Sequence, residues 1–277
     1  MKSAQLVAPP AGSADPTLRR DPAIWRQFPN RVGTFCLVEI QKLRHDRTEI
    51  FTRAVQPVLW LLIFGETFNK LHAIPTGNVP YLDFLAPGII AQSGLFVAIF
   101  YGIQIIWERD AGVLTKLLVT PTPRSALILG KSFAAGIRAW AQVVVILILS
   151  AILGVSLSSN PLHILGAFAV VMMGSAFFAC LSMTVAGVVL KRDRLMGIGQ
   201  MITMPLFFAS NALYPVSIMP GWLQVLSRVN PLSYEVDALR GLLIHSPAHL
   251  LTDFGVLALA VVVGVAAASS LVGRLAR

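Results

Sequence analysis

Charge is scarce in this chain of 277 residues, because only 13% of them are Asp, Glu, Lys or Arg. A soluble globular domain carries about 25% charged residues. Hydrophobic residues make up 56% of the sequence, and the mean hydropathy is +0.73. The shortage of charge excludes an ordinary soluble domain and predicts an all-α integral membrane protein.

Residues that bind metals or form disulfides are also few. The two cysteines, Cys36 and Cys180, lie far apart and predict neither a disulfide framework nor a metal site. His245 and His249 are four residues apart, but Pro247 between them disfavours the continuous helix that a pair of ligands would need. With no Ser/His/Asp constellation either, the sequence predicts no metal site and no catalytic residue.

A complete nucleotide-binding loop is missing. The GKS at 130–132 is similar to the end of a phosphate loop, but the glycine required five residues before Gly130 is replaced by Ser125. No strand precedes it, because the segment leads into an apolar run. The sequence therefore predicts no cofactor in this chain, and any ATP that drives it must be hydrolysed by another chain.

Six apolar segments are long enough to span a bilayer. Nineteen of the Lys and Arg residues fall on one side of these segments and three on the other, so the excess of positive charge on cytoplasmic loops predicts both termini inside. The net charge of +9 is then a signal of topology, and no nucleic-acid partner is predicted. The six segments are 50–69, 84–106, 133–156, 162–190, 195–214 and 253–273.

Residues 1–29 have no apolar core and predict a flexible cytoplasmic tail, not a signal peptide.

Two other segments are amphipathic. In 30–49, apolar residues recur among basic ones, which predicts an N-terminal helix lying in the membrane interface, with a plain cytoplasmic helix as the alternative. The segment 215–252 is too polar to span. It predicts two short extracellular helices, split at Asn230 and Pro231, that re-enter the outer leaflet or cap the spans. The residues on which the interfacial helix depends are Phe35, Val38, Leu43 and Arg44.

The cytoplasmic segment 107–131, WERDAGVLTKLLVTPTPRSALILGK, interrupts the apolar pattern. Acidic residues suit the start of a helix, and Pro121 and Pro123 end it. The segment predicts an amphipathic helix that docks on a partner or, alternatively, rests on lipid. Its single apolar face is predicted to consist of Val113, Leu114, Leu117 and Leu118.

The central spans contain essentially no ionisable residue, which argues against a proton-coupled carrier. Neutral polar residues accompany aromatic and methionine side chains in the second and fifth spans. They either form hydrogen bonds between helices or line a path for an amphiphilic substrate, and both interpretations remain open. The candidate path residues are Gln92, Ser93, Phe96 and Phe100 in the second span and Gln200, Met201, Met204 and Phe208 in the fifth.

Three stretches resemble the bacterial type-2 ABC export permeases. They are QPVLWLLIFGETF (56–68), ERDAGVLTKLLVTPTPRSALILGK (108–131) and MPLFFASNALYPVSIMPGWLQVLSRVNPLSYEVDALRGLL (204–243). The sequence departs from the family at Asn211, where a glycine is expected. The most specific part is the spacing of Pro215, Pro220, Asn230, Pro231, Tyr234 and Arg240.

The resemblance implies a permease domain over 30–277 in the bacterial cytoplasmic (inner) membrane. It implies an assembly with two ABC ATPase subunits, which hold ATP and Mg, and a second permease that is a copy or a paralogue. The substrate, a drug, lipid or lipid-linked glycan, would be exported along a path between the permeases. The alternatives are a lipid-modifying transferase and a stand-alone channel or secondary carrier. The residues implied for coupling to the ATPase are Glu108, Arg109, Gly112, Val113, Leu114, Leu117, Leu118, Thr120 and Pro121.

Overall fold

The computed structural model describes residues 33–34, 37, 41, 47–71, 74–77, 79–114, 116 and 123–274. Every regular element in these ranges is helical. Gly33, Thr34, Leu37 and Gln41 are helical within the predicted interfacial segment. Two sets of predicted site residues lie outside the described residues: Phe35, Val38, Leu43 and Arg44 of the interfacial helix, and Leu117, Leu118, Thr120 and Pro121 of the coupling helix.

The first helical run is continuous from 47 to 71 but changes type along its length. It consists of α1 (Arg47–Leu59), a π-helical turn (Trp60–Gly65) and α2 (Glu66–Leu71). Pro57 lies inside α1, three residues before the π turn. The predicted interfacial helix ended at 49 and the predicted span began at 50, whereas the structure places 47–49 in α1.

Four of the described helices are long and apolar enough to cross a membrane. They are α3 (Tyr81–Asp110), α4 (Arg124–Ile152), α5 (Pro161–Val189) and the last helix, α9 (Leu250–Leu271), with a 3₁₀ turn (Val272–Arg274) after it. The start of α5 follows from its sequence, because Pro161 occupies the first turn and the Asn160 side chain accepts a hydrogen bond from the Leu162 amide at 3.0 Å.

The remaining elements are shorter. They are α6 (Arg192–Phe208), a 3₁₀ turn (Val216–Ile218), α7 (Gly221–Val229) and α8 (Pro231–Leu243). Helices α7 and α8 meet at Asn230, whose side chain caps α8 by accepting from the Leu232 amide at 3.0 Å. The predicted spans 50–69 and 195–214 thus correspond to a helix with a π turn and to a helix of 17 residues.

Helix α3 lies at the centre of the fold. In its most apolar window 83% of the residues are buried, compared with 22% in α9. It packs against α4, α5, α6 and α8, and close approach to α5 depends on Gly102, which faces Ser182. The Ser182 hydroxyl donates to the Ile99 carbonyl at 2.7 Å, so this contact also satisfies a buried polar group.

The two boundaries on either side of the insert differ markedly from the sequence prediction. Helix α3 continues to Asp110 instead of ending at 106, and α4 begins at Arg124 instead of 133. The end of α3 is set by Gly112, whose φ of 71° is accessible to glycine at little cost. The start of α4 is set by Pro123, because the residue before a helix can lack a hydrogen-bonding amide.

Candidate functional site

The Asp110 end of α3, which was predicted to be cytoplasmic, is tied to α4 by an ion pair. The Glu108 carboxylate lies 2.5 Å from the Lys131 ammonium, and these side chains are 16% and 8% exposed. Helix α4 begins at Arg124, early enough to place Lys131 about two turns inside the helix, where it is buried. Because both charges are mostly removed from water, separating the pair would be costly.

Two neighbours of Glu108 tie the same end of α3 to the α5–α6 connection. Arg109 donates to the carbonyl of Leu190 at 3.0 Å, and the Arg192 guanidinium lies 4.4 Å from the centroid of the Trp107 ring. Leu190 has a φ of 56° and ends α5, while Arg192 begins α6. Three consecutive residues of α3 therefore contact α4, the end of α5 and the start of α6.

The predicted coupling helix does not begin at Glu108. Glu108 and Arg109 belong to the last turn of α3, and the chain turns at Gly112 before helical residues resume at Val113. Val113 is 46% exposed, whereas Leu114 is fully buried in the hydrophobic core. Val113 and Leu114 thus differ in exposure, while the single face that they were predicted to form with Leu117 and Leu118, which lie outside the described residues, stays a prediction.

A pocket of about 220 Å³ lies between α1, α3 and α4. It brings together the four candidate path residues of the second span, and it adds side chains from α1 and α4 that sequence reasoning did not select. The lining consists of Thr52, Arg53, Gln56 and Pro57 from α1, Gln92, Ser93, Phe96, Val97 and Phe100 from α3, and Gln142 from α4.

The candidate path residues of the fifth span are not in that pocket. On α6, Met201 is 68% exposed and Phe208 is 44% exposed, with Gln200 also exposed and Met204 half-buried. The opposite face of α6 packs on α3, where a Cβ on Gly199 would lie 3.1 Å from the Ile103 side chain. The pocket between α1, α3 and α4 therefore contains the predicted path residues of the second span and none of those of the fifth.

The predicted outer segment is held together by side chains that bond to backbone. The Tyr234 hydroxyl donates to the Arg228 carbonyl at 2.7 Å and so ties α8 to α7. The Asn230 amide donates to the Leu206 carbonyl at 2.6 Å and ties the α7–α8 junction to α6. Pro220 precedes α7 and Pro231 is the first residue of α8, which are positions that proline favours.

Arg240 joins α8 to two other parts of the chain. Its guanidinium donates to the carbonyl of Asn211 at 2.6 Å and to the carbonyl of Phe84 at 3.3 Å, and it lies 3.5 Å from the centroid of the Phe84 ring. Asn211, the departure from the family pattern, donates to the Asp237 carboxylate at 2.6 Å. Burial raises the pKa of Asp237, and the nearby charge of Arg240 opposes this rise.

Glu235 is the residue that sequence reasoning missed most completely. It is fully buried, and neither carboxylate oxygen has a hydrogen-bond partner among the described residues. If Gly174 carried a Cβ atom, that atom would overlap this carboxylate, and a Cβ atom added to Gly94 would lie 3.6 Å from it. Gly94 is the fourteenth of 30 residues in α3, and Gly174 is the fourteenth of 29 residues in α5. Helix α8 therefore places the Glu235 carboxyl at the mid-length of α3 and α5. The sequence prediction concerned the spans alone, and it did not foresee a carboxyl that reaches this depth from a segment that does not span.

The described part of the chain is therefore all-helical, with four helices apolar enough to span a membrane. The Asp110 end of α3 is tied to α4, to the end of α5 and to the start of α6, and α8 carries Glu235 to the mid-length of α3 and α5. The chain belongs to the ABC-2 type transporter family, whose model matches residues 32–244. The resemblance inferred from the sequence is thereby confirmed, and the chain is a transmembrane subunit of an ABC transporter.

Similar proteins carry transport names. A protein of Cyanophora paradoxa named as a transport permease, ycf38, is 29% identical over 209 residues, or 74% of this chain and 71% of that protein. Its counterparts in Porphyra purpurea and Pyropia yezoensis are matched over 64% of their length. The daunorubicin resistance ABC transporter permease protein DrrB1 of Streptomyces coeruleorubidus is 26% identical over 200 residues, or 72% of this chain and 70% of that one. Nodulation protein J of Rhizobium leguminosarum bv. viciae is 27% identical over 228 residues, or 81% and 86%.

Proposed function

We propose that the chain is the permease half of an ATP-driven exporter in the bacterial cytoplasmic membrane. It moves an amphiphilic or hydrophobic substrate, such as a drug, a lipid or a lipid-linked glycan, while a separate subunit binds ATP and Mg and hydrolyses the nucleotide. The proposal is supported by family membership, by the incomplete phosphate loop at 130–132 and by the name of a drug-resistance permease among the relatives.

The topology proposed has six spans with both termini in the cytoplasm. The run from 47 to 71 and the 17 residues of α6 are helical over about 38 Å and 26 Å, close to the roughly 30 Å of a hydrocarbon core. With the four long helices they make six. The depth of Glu235 supports α7 and α8 as a pair that re-enters the outer leaflet.

The observation that carries the coupling proposal is the set of contacts at the cytoplasmic end of α3. A push on the insert that follows Asp110 reaches Trp107, Glu108 and Arg109 directly. These residues contact α4, the end of α5 and the start of α6. Motion of an ATPase docked on the insert would thus be delivered to several spans at once.

The assembly proposed contains two ATPase subunits and a second permease, which is a copy of this chain or a paralogue. The exposed face of α6, with Met201 and Phe208, is the surface assigned to the second permease and to the substrate path between the two. Methionine and aromatic side chains suit such a surface because they adapt to apolar ligands of different shape.

Charging the insert tests the docking of the ATPase. We expect Val113→Glu, and the pair Leu117→Glu with Leu118→Glu, to leave membrane insertion intact and to abolish co-purification of the cognate ATPase. The matched control is Leu251→Glu, which charges a residue that is 92% exposed at the other end of the molecule. Unchanged recovery of the ATPase with the insert variants would overturn the docking proposal. ATP hydrolysis by the purified single chain would contradict the proposal that a separate subunit hydrolyses ATP. Transport by the single chain without an ATPase would contradict it as well.

A further inference from the structure

The Glu235 side chain is a carboxyl group enclosed at the mid-length of two long helices. It lies on α8 and is fully buried, and the glycines that make room for it are Gly94 on α3 and Gly174 on α5. Neither of its oxygens accepts a hydrogen bond from any residue that the structure describes. An ionisable side chain at such a depth in a membrane protein indicates a functional site, and its partner must be identified from its surroundings.

The described residues of the surrounding helices offer this carboxyl no opposite charge. Helix α8 packs on α3, α5 and α9. On α3 the titratable residue nearest to Gly94 is Tyr101, seven residues or about 10 Å along the helix. On α5 the nearest to Gly174 is Cys180, six residues or about 9 Å away. Neither a tyrosine nor a cysteine is ordinarily charged at neutral pH. The others lie nearer the helix ends and are Tyr81, Asp83, Glu108, Arg109 and Asp110 on α3, His163 on α5, and His249 and Asp253 at the start of α9.

The titratable residues of α8 itself are engaged elsewhere. The Asp237 carboxylate accepts from the Asn211 amide at 2.6 Å, and the Arg240 guanidinium donates to the carbonyl of the same asparagine at 2.6 Å. The Tyr234 hydroxyl donates to a carbonyl of α7 at 2.7 Å. Asp253, in the first turn of α9, lies near Asp237 instead. The buried carboxyl therefore has no ionic partner in the part of the chain that the structure describes.

Ser175 on α5 brings a second polar group to the same place. It is fully buried, and its hydroxyl forms no hydrogen bond with the described residues. A Cβ atom added to Gly94 would lie 3.1 Å from the Ser175 hydroxyl oxygen and 3.6 Å from a Glu235 oxygen, so both oxygens border one small space beside Gly94. A neutral carboxyl has an O–H that donates to the serine oxygen, directly after a rotamer change or through one water.

These surroundings decide between the ionised and the neutral form of the carboxyl. An ionised carboxylate is stable inside a protein only when it is paired with an opposite charge and hydrogen-bonded, and otherwise it takes up a proton. A single serine hydroxyl offers the carboxylate at most one donor. The neutral acid needs no counter-charge, and Ser175 meets its need for a hydrogen-bond acceptor.

We propose that Glu235 is a proton-binding site that is occupied while α8 lies between α3 and α5, with the Ser175 hydroxyl accepting from the acid. When α8 leaves this position the carboxyl reaches water. Its O–H bond then breaks, and the proton passes to water while the carboxylate keeps the electron pair. The docking of α8 is thereby linked to the uptake of one proton. This inference does not rest on the proposed export, because it needs neither an ATPase nor a substrate.

Infrared spectroscopy of the purified permease at neutral pH detects the proton directly, because a protonated carboxyl has a C=O stretch that a carboxylate lacks. We expect an acid band that shifts when glutamate carries an isotope label in its side-chain carboxyl, and that vanishes in Glu235→Gln. Asp193→Asn removes an exposed acid near the start of α6 and should keep the band. The label keeps the test valid even if Glu235→Gln does not fold. A wild-type spectrum without a protonated glutamate would overturn the proposal.

The pairing with Ser175 has its own spectroscopic signature. In Ser175→Ala the acid loses its acceptor, so we expect the band to persist at a shifted frequency. The matched control is Ser270→Ala on α9, where the serine is exposed and its hydroxyl donates to the Ala267 carbonyl at 2.7 Å. This control should leave the band in place. An unshifted band in Ser175→Ala would overturn the assignment of Ser175 as the partner.

The link between docking and proton uptake is tested by amide hydrogen exchange of α8 as a function of pH, corrected for the intrinsic exchange rate. The docked state holds one more proton than the undocked state, so docking weakens as the pH rises. We expect the protection of α8 in the wild-type chain to fall about tenfold per pH unit over the range in which only the undocked carboxyl is ionised. Asp193→Asn should behave like the wild type, whereas Glu235→Gln should lose this dependence. The same pH dependence in Glu235→Gln and in the wild type would refute the link.

Discussion

The two ends of the helical bundle are held by different kinds of contact. At the outer end, side chains donate to backbone carbonyls, as Arg240 does to Asn211 and Tyr81 does to Leu213 at 3.1 Å. At the end that carries the insert, side chains also contact other side chains, as in the Glu108–Lys131 pair and the stacking of Arg192 on Trp107, and Arg109 adds one bond to the Leu190 carbonyl. The outer end also has an aromatic series in which Trp60 contacts Phe64, with ring centroids 4.3 Å apart.

This difference indicates which end of the bundle is more rigid and which end can move. A bond to a carbonyl fixes the path of the backbone itself, so the outer segment keeps one shape. A contact between two side chains can break and re-form while each helix remains intact. The end of the bundle that holds the insert is therefore the end that can respond to a partner.

The largest effect is expected from removing Arg240. Arg240→Leu would leave the Asn211 and Phe84 carbonyls without their donor and the Asp237 carboxylate without its nearest cation. We expect a loss of about 3 kcal/mol in the free energy of unfolding, since a broken buried charge network costs several kcal/mol. Thermal unfolding in detergent measures it, with Arg228→Leu on the exposed face of α7 as the control. A loss no greater than that of the control would mean that the carbonyl contacts do not fix the outer end.

Gly88→Ala should have the next largest effect. A Cβ at this position would overlap the backbone carbonyl of Ala212, which cannot move like the tip of a side chain. We expect a cost of about 2 kcal/mol from this overpacking. Gly255→Ala, where nothing lies within 4 Å, should instead be neutral or slightly stabilising because alanine favours helix. Equal unfolding temperatures for the two variants would show that the close approach of α3 to the outer segment is not required.

A smaller effect is expected at the end of the bundle that carries the insert. A double-mutant cycle with Glu108→Gln and Lys131→Met should give a coupling of about 1–2 kcal/mol, because the pair is buried but can be separated without distorting a helix. Unlike the outer substitutions, these should reduce substrate-stimulated ATP hydrolysis in the complex more than they reduce stability. Additive losses in the cycle would show that the ion pair does not join α3 to α4.

The smallest expected effect belongs to Arg192→Gln, which removes the cation over the Trp107 ring. We expect about 0.5–1 kcal/mol, the usual range for a partly exposed cation–π contact. Lys191→Gln, a neighbouring exposed residue, is the matched control for loss of charge. A larger loss than at Arg240 would reverse the comparison between the two ends.

The sequence predicted helix ends that depend on neighbouring residues. It did not predict the burial of side chains that depends on how the helices pack. The break at Asn230 and Pro231 was foreseeable because proline cannot continue a hydrogen-bonded helix from the preceding residues. The buried position of Lys131 was not, because it depends on how far α4 extends before its apolar run. Glu235 reads as an ordinary exposed acid on an amphipathic helix, and only the tertiary packing of α8 between α3 and α5 places it at mid-depth. The difference in exposure between Val113 and Leu114 was not predicted either. It depends on where α3 ends, and α3 continues beyond the apolar segment that the sequence indicates.

The buried carboxyl of Glu235 has a consequence for the order of biogenesis. The two helices whose glycines make room for it, α3 with Gly94 and α5 with Gly174, both precede α8 in the chain. When the ribosome reaches Glu235, the protein surfaces that receive this side chain have already been synthesised. Helix α8 can therefore insert between α3 and α5 after both have been synthesised, and its carboxyl need not be exposed to lipid. The order of the segments in the sequence thus favours correct assembly.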